Sequence, residues 1–167
     1  FSGSPGIDDV IKNKITSKIE LEKKFKIKFL GQEIILLQHP VTTQIEQSET
    51  QIQSTLNVIS KMKKPTIAIA PNSDAGNSAI FKNLKTYSKE FPFIKVHKSI
   101  PRSDYLGLLK FGGVLVGNSS SGIIEASYFS IPVVNIGIRQ QNRESGKNVI
   151  HIKNFSEKSI HLALLNA

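Results

Sequence analysis

Val114-Leu115-Val116-Gly117-Asn118-Ser119-Ser120-Ser121-Gly122-Ile123-Ile124-Glu125 is the stretch on which the fold turns. It opens as a short β-branched apolar run, passes through a turn of small polar residues, and continues with Ile123, Ala126 and Phe129 at helical spacing. A strand with no polar alternation has no wet face, which is the mark of a parallel sheet covered on both sides. Similar runs recur at Ile34–Leu37, Thr66–Ala70, Ile94–Val96, Pro132–Ile136 and Val149–Ile152. Helical stripes lie between and after them: Ile52, Leu56, Ile59 and Met62; Ile80, Leu84, Tyr87 and Phe91; Leu106 and Leu109; and Ile160, Ala163 and Leu164. Strands alternating with helices predict βαβ crossovers and an α/β, Rossmann-like, doubly wound parallel sheet. No repeat, low-complexity tract or internal linker interrupts it.

The 167 residues and their 39% hydrophobic content suit one or at most two soluble domains with one good core. Ahead of the first strand, lysines crowd Lys12 to Lys28, where Ile11, Ile15 and Ile19 recur every four positions and predict an amphipathic helix with a solvated basic face. The absence of Cys argues against a disulfide scaffold or a thiolate metal site, and no His, Asp or Glu spacing resembles a metal site. No cofactor is expected. The chain has 22 Lys+Arg against 13 Asp+Glu, a net charge of +9, which invites an anionic partner. Only Arg102, Arg139 and Arg143 are arginines, so the forks that read guanine edges are scarce and a sequence-reading nucleic-acid partner is disfavoured. No apolar run approaches the length of a membrane span and no signal peptide is visible, so a soluble, cytoplasmic protein is expected. The opening Phe1-Ser2-Gly3-Ser4-Pro5-Gly6 lacks an initiator Met and starts in mid-turn, as a fragment of something longer does.

Ligands of open α/β sheets bind beyond the carboxyl ends of the strands. The sequences there are His39-Pro40-Val41-Thr42-Thr43, Pro71-Asn72-Ser73-Asp74-Ala75-Gly76, Gly117-Asn118-Ser119-Ser120-Ser121-Gly122 and Gly137-Ile138-Arg139-Gln140, and all are expected to face one crevice. Ser119 and Ser120 stand where a helix start and hydroxyl donors can seat a phosphate, although a serine there also caps a helix. Glu125 is expected one to two turns into that helix, either accepting from ribose hydroxyls or standing solvated. Arg139 can donate a fork to phosphate, and Arg143 can do so or pair with Glu144. His39, held extended by Pro40, can donate to a phosphate, shuttle a proton or serve structure alone. Asn72 and Asp74 belong to a turn in which such side chains often bond their own backbone.

Taken in order, Gly3-Ser4-Pro5-Gly6-Ile7-Asp8, His39-Pro40-Val41-Thr42, Pro71 to Gly76, Gly117 to Gly122 and Gly137 to Glu144 resemble the C-terminal half of the hydrolysing UDP-N-acetylglucosamine 2-epimerases, relatives of the two-domain GT-B glycosyltransferases. The resemblance covers almost the whole chain. It implies that residues 1–30 are an interdomain crossover with a basic helix and that 31–167 form a Rossmann-like UDP-binding domain. It further implies that Ser119 and Ser120 hold the diphosphate, that Glu125 holds the ribose, and that His39 and Arg139 act on the phosphate side. Asn72, Ile100 and Tyr105 would lie along the nucleotide, and a UDP-N-acetylhexosamine would be the substrate. The implied chemistry is elimination of UDP to a 2-acetamidoglucal and hydration to N-acetylmannosamine, in amino-sugar and sialic acid biosynthesis. Its acid/base carboxylates would sit on an N-terminal catalytic domain absent from this chain, leaving the chain inactive alone. Pro40-Val41-Thr42-Thr43 replaces the Arg- and Glu-rich stretch of the non-hydrolysing branch. Homo-oligomerisation stays open, as do two alternatives: the donor-binding half of a GT-B glycosyltransferase and a basic nucleic-acid-binding module.

Overall fold

The computed structural model describes residues 5–72 and 76–167. Every apolar run is a strand: β1 (Ile34–Leu37), β2 (Thr66–Ile69), β3 (Ile94–His97), β4 (Val114–Gly117), β5 (Val133–Ile136) and β6 (Val149–Ile152). They form one parallel sheet in the order β3-β2-β1-β4-β5-β6. The inner strands β2, β4 and β5 are buried along their whole length, whereas edge strands β3 and β6 are mostly half-exposed. The continuous apolar runs therefore mark the strands that carry helices on both faces.

The helices are α1 (Pro5–Lys12), α2 (Lys18–Phe25), α3 (Ser48–Met62), α4 (Asn77–Glu90), α5 (Arg102–Phe111), α6 (Glu125–Phe129) and α7 (Glu157–Leu165). Alternation along β1 sends Ile34 and Leu36 to one face of the sheet, where α3, α4 and α7 contribute Ile52, Leu56, Ile59, Ile80, Leu84, Ile160 and Leu164. Ile35 points to the other face, with Leu21 and Phe25 of α2, Leu108 and Leu109 of α5 and Ala126 of α6. Because strand order reverses between β1 and β4, crossovers of one hand must leave on opposite faces, and this builds the two layers.

The lysine-rich segment departs from its pattern. Instead of one helix on the Ile11, Ile15 and Ile19 stripe, two helices are separated by residues 13–17, and Ile11 is 60% and Ile19 79% exposed. The break has a local cause. Ser17 caps α2 by accepting from the Glu20 N–H, while the Glu20 carboxylate accepts from the Ser17 N–H at 3.1 Å, closing a capping box. The residues that α2 buries are Leu21 and Phe25, each worth roughly 1.5–3 kcal/mol when removed from water. Buried Asp104 of α5 pins the segment by accepting from the Thr16 hydroxyl at 2.7 Å and pairing with Lys24. Of the mid-turn opening expected over Phe1 to Gly6, residues 1–4 lie outside the described residues, whereas Pro5 and Gly6 already begin α1. No helix among the described residues is long and apolar enough to cross a membrane.

Candidate functional site

The site forms where the sheet changes direction, at the carboxyl ends of β1 and β4. There the two backbones approach so closely that a Cβ on Gly117 would lie 2.0 Å from the Leu37 carbonyl oxygen, and Gly117 takes a φ of +136° that side chains avoid. Next in the chain, fully buried Asn118 clamps the other strand. Its Oδ1 accepts from the His39 N–H at 2.7 Å, and its Nδ2 donates to the His39 carbonyl at 2.8 Å. Both backbone groups of His39 are thus satisfied by one side chain, and His39 is fixed against the turn that carries the serines.

An open cleft of about 360 Å³ lies over this junction, lined by His39, Asn72, Ile100, Tyr105, Ser119, Ser120 and Glu125 together with Lys98 and Ser121. All the residues expected to touch a nucleotide, apart from Arg139, therefore share one concavity. Arg139 is exposed beside it and its Nη1 donates to the Asn118 carbonyl at 3.2 Å, next to buried Gln140, whose Nε2 donates to the same oxygen at 2.9 Å. The loop from Gly137 onward does not join the same crevice. With Arg143 it lines a neighbouring cleft of about 400 Å³ over β5 and β6, because those strands stand one and two places beyond the junction. Among the described residues no ion pair joins Arg143 to Glu144. Ser73, Asp74 and Ala75 lie outside the described residues.

The turn after β4 is tighter than a helix start. Residues Ser120–Gly122 form a single 3-10 turn, capped by Ser119, whose Oγ accepts from the Ser121 N–H at 3.3 Å. Helix α6 begins only at Glu125, which is its first residue rather than one or two turns inside, and it is five residues long. A macrodipole from so short an element is small. The donors this turn offers to an anion are hydroxyls and turn N–H groups instead. Capping uses the acceptor side of Ser119 and leaves its O–H proton available to a ligand, so cap and donor roles coexist. Tyr105 shares a hydrogen bond with Ser121; burial pushes its phenol above the ordinary value, only partly offset by that bond, so it remains neutral. Arrayed this way, the cleft can receive a polyanion at the serines and a diol at Glu125.

Three residues given no site role in the sequence analysis shape the cleft. Lys98 and Ser99 follow β3 and add a cation and a hydroxyl to the lining. Arg102 opens α5 and pairs with Glu125 on one side and with Asp9 of α1 on the other. Burial works against charge on its guanidinium, but Glu125 and Asp9 outweigh that and hold its pKa above the usual range. Among the described residues no group of His, Cys, Asp and Glu could hold a metal ion.

Comparison with known proteins agrees with this fold. The UDP-N,N'-diacetylbacillosamine 2-epimerase (hydrolyzing) of Legionella pneumophila is 31% identical over 150 residues, covering 90% of this chain; the chain spans 40% of that relative's length. The crystal structure of Methanocaldococcus jannaschii UDP-GlcNAc 2-epimerase in complex with UDP-GlcNAc and UDP superposes with a TM-score of 0.64 at 13% identity, over 95% of this chain and 43% of that one. Escherichia coli heptosyltransferase WaaC with ADP-2-deoxy-2-fluoro heptose superposes at 0.60 with 11% identity, over 93% of this chain and 51% of that one, so the fold is the Rossmann-like half of a GT-B architecture. The sequence model of the UDP-N-acetylglucosamine 2-epimerase family matches residues 1–164, and the chain belongs to that family.

Proposed function

We propose that this chain is the UDP-binding domain of a hydrolysing UDP-N-acetylglucosamine 2-epimerase. The observation that carries the reading is the convergence of Ser119, Ser120 and Glu125 in one cleft at the sheet's switch point. In this reading the serine hydroxyls donate to the diphosphate, Glu125 accepts from the ribose 2′- and 3′-hydroxyls, and Asn72, Ile100 and Tyr105 flank the nucleoside. His39 and Arg139 act on the leaving group: as the bond from C1 to UDP breaks and C2 loses its proton, they stabilise the growing charge on the diphosphate. Carboxylates beyond this chain take the C2 proton and return one to the other face, and water adds at C1 of the glucal. Pro40-Val41-Thr42-Thr43 supports the hydrolysing branch, and the named relative makes a 2,4-diacetamido sugar nucleotide a second substrate to test beside UDP-N-acetylglucosamine. The cytoplasm, where nucleotide sugars are made, is the setting this reading implies.

Calorimetry of the chain with UDP, UMP and CMP tests the site. UDP should bind, weakly because the cleft is open, and more tightly than UMP, with weak dependence on salt. The chain alone should release no N-acetylmannosamine from UDP-N-acetylglucosamine. Equal affinity for all three nucleotides, or steep salt dependence with a preference for nucleic acid, overturns the reading.

A further inference from the structure

The family chemistry concerns groups that touch the nucleotide; Arg102 does not line the cleft, yet its position makes it the support for one that does. It is the first residue of α5, and its planar head faces two carboxylates from different elements. Nε and Nη2 donate to Asp9 Oδ2 of α1 at 3.0 and 2.9 Å, while Nη1 pairs with Oε1 of Glu125 at the start of α6. The Glu125 side chain is 14% exposed and lines the cleft. A glutamate side chain has several rotatable torsions, and the pair with Arg102 adds a directional restraint to the packing that leaves it 14% exposed. A guanidinium fixed at its far edge by Asp9 removes that freedom, since its planar fork presents Nη1 in one direction.

We infer that Arg102 is a positioning residue for nucleotide binding: anchored on Asp9, it holds Glu125 by one carboxylate oxygen so that the other is presented to the ribose hydroxyls. This rests on the ribose assignment of Glu125 made above. Its consequence is that the seat of α1, which leads the chain into the domain, sets the geometry of the nucleotide site. Asp9 therefore contributes to binding without reaching the ligand.

The test is a double-mutant cycle on the chain, read by calorimetry with UDP and with 2′,3′-dideoxyuridine diphosphate. Glu125→Gln and Arg102→Gln should each weaken UDP by about tenfold, and the double variant should be no weaker than the weaker single variant, because both act through one carboxylate. Arg102→Lys should recover part of the loss, and Asp9→Asn should show a smaller one. The dideoxy ligand should bind Glu125→Gln and the unsubstituted chain alike. A selective loss in Glu125→Gln with none in Arg102→Gln overturns the inference alone. So do losses that add to about a hundredfold in the double variant, since an additive effect belongs to Arg102 as a structural residue. If Glu125→Gln weakens both ligands equally or neither, the ribose assignment falls and the inference with it.

Discussion

Two clefts of similar size open at the carboxyl edge of the same sheet, about 360 Å³ over β1 and β4 and about 400 Å³ over β5 and β6. Volume does not separate them; the framing does. The first lies where crossovers diverge to opposite faces, and its floor is backbone against backbone: Gly117 on Leu37, and Asn118 locked to His39. The second is walled by the loop from Ile138 to Ser145, with Arg143 and Lys153 exposed and His151 bridging Asn135 at 3.1 Å and Ser145 at 2.9 Å. Rigid framing is what preorganises polar groups for a ligand, and here it belongs to the switch point.

A glycine with positive φ sits in the strand junction beneath the first cleft and another lines the second, and replacing them is the harshest way to break the comparison. In Gly117→Ala the new methyl meets a backbone oxygen at 2.0 Å, which can move only if β1 and β4 separate. A loss of about 4 kcal/mol or more is expected, with UDP binding abolished. In Gly137→Ala, at φ +79°, the methyl meets the outer ring atoms of Phe155 at 2.8 Å, and a ring can rotate away. About 1–2 kcal/mol of left-handed strain should remain. Denaturant unfolding of the two variants checks the ranking, and equal losses would show that the second cleft is framed as rigidly as the first.

A gentler contrast compares ligand groups. Ser119→Ala with Ser120→Ala should weaken UDP by at least about tenfold per lost bond, since hydrogen bonds to charged groups are worth roughly 1.5–3 kcal/mol. Arg143→Ala with Lys153→Ala should shift it by less than about twofold, because exposed charges act weakly through water. Reversal of that order in calorimetry would move the nucleotide to the second cleft.

The residues that these experiments probe were unequally legible in the sequence. The inner strands declared themselves because burial on both faces demands unbroken apolar runs, and the turns after β1 and β4 were readable because a fold rule says where such turns point. The lysine segment misleads because the spacing of Ile11, Ile15 and Ile19 does not show the interruption of the helix at residues 13–17. The corrective signal was present in Ser17-Lys18-Ile19-Glu20, a capping box that starts a helix rather than continuing one. The start of α6 is hidden for a related reason: helical spacing from Ile123 onward does not reveal a 3-10 turn. Arg102 could not be assigned at all. Its partners Asp9 and Glu125 come from distant segments, and only tertiary packing brings them together.

The smallest expected effect concerns a titratable group behind the first cleft. His97 ends β3, directly before Lys98 of the lining, and lies edge-on to Phe25 with ring centroids 5.0 Å apart. Burial, then Lys95 and Lys24, lower its pKa below the ordinary 6.5. Lys95 is held close by, donating to the Phe25 and Lys26 carbonyls at 2.8 Å each. In the unfolded chain His97 regains its ordinary value, so on acidification the unfolded state takes up the proton first. Stability then rises with pH wherever the unfolded state binds more protons. It should therefore fall as pH drops through 6.5, and this contribution should stop changing below the folded-state pKa, where both states are protonated. Thermal melts from pH 8 to pH 5 on the unsubstituted chain and on His97→Gln isolate the contribution, since all other titrating groups are common to both. The difference in Tm between them should shift against the unsubstituted chain as the pH falls. A difference independent of pH would show that the fold accepts the imidazolium as readily as water does, and that the β3 end of the first cleft is softer than its β1 and β4 floor.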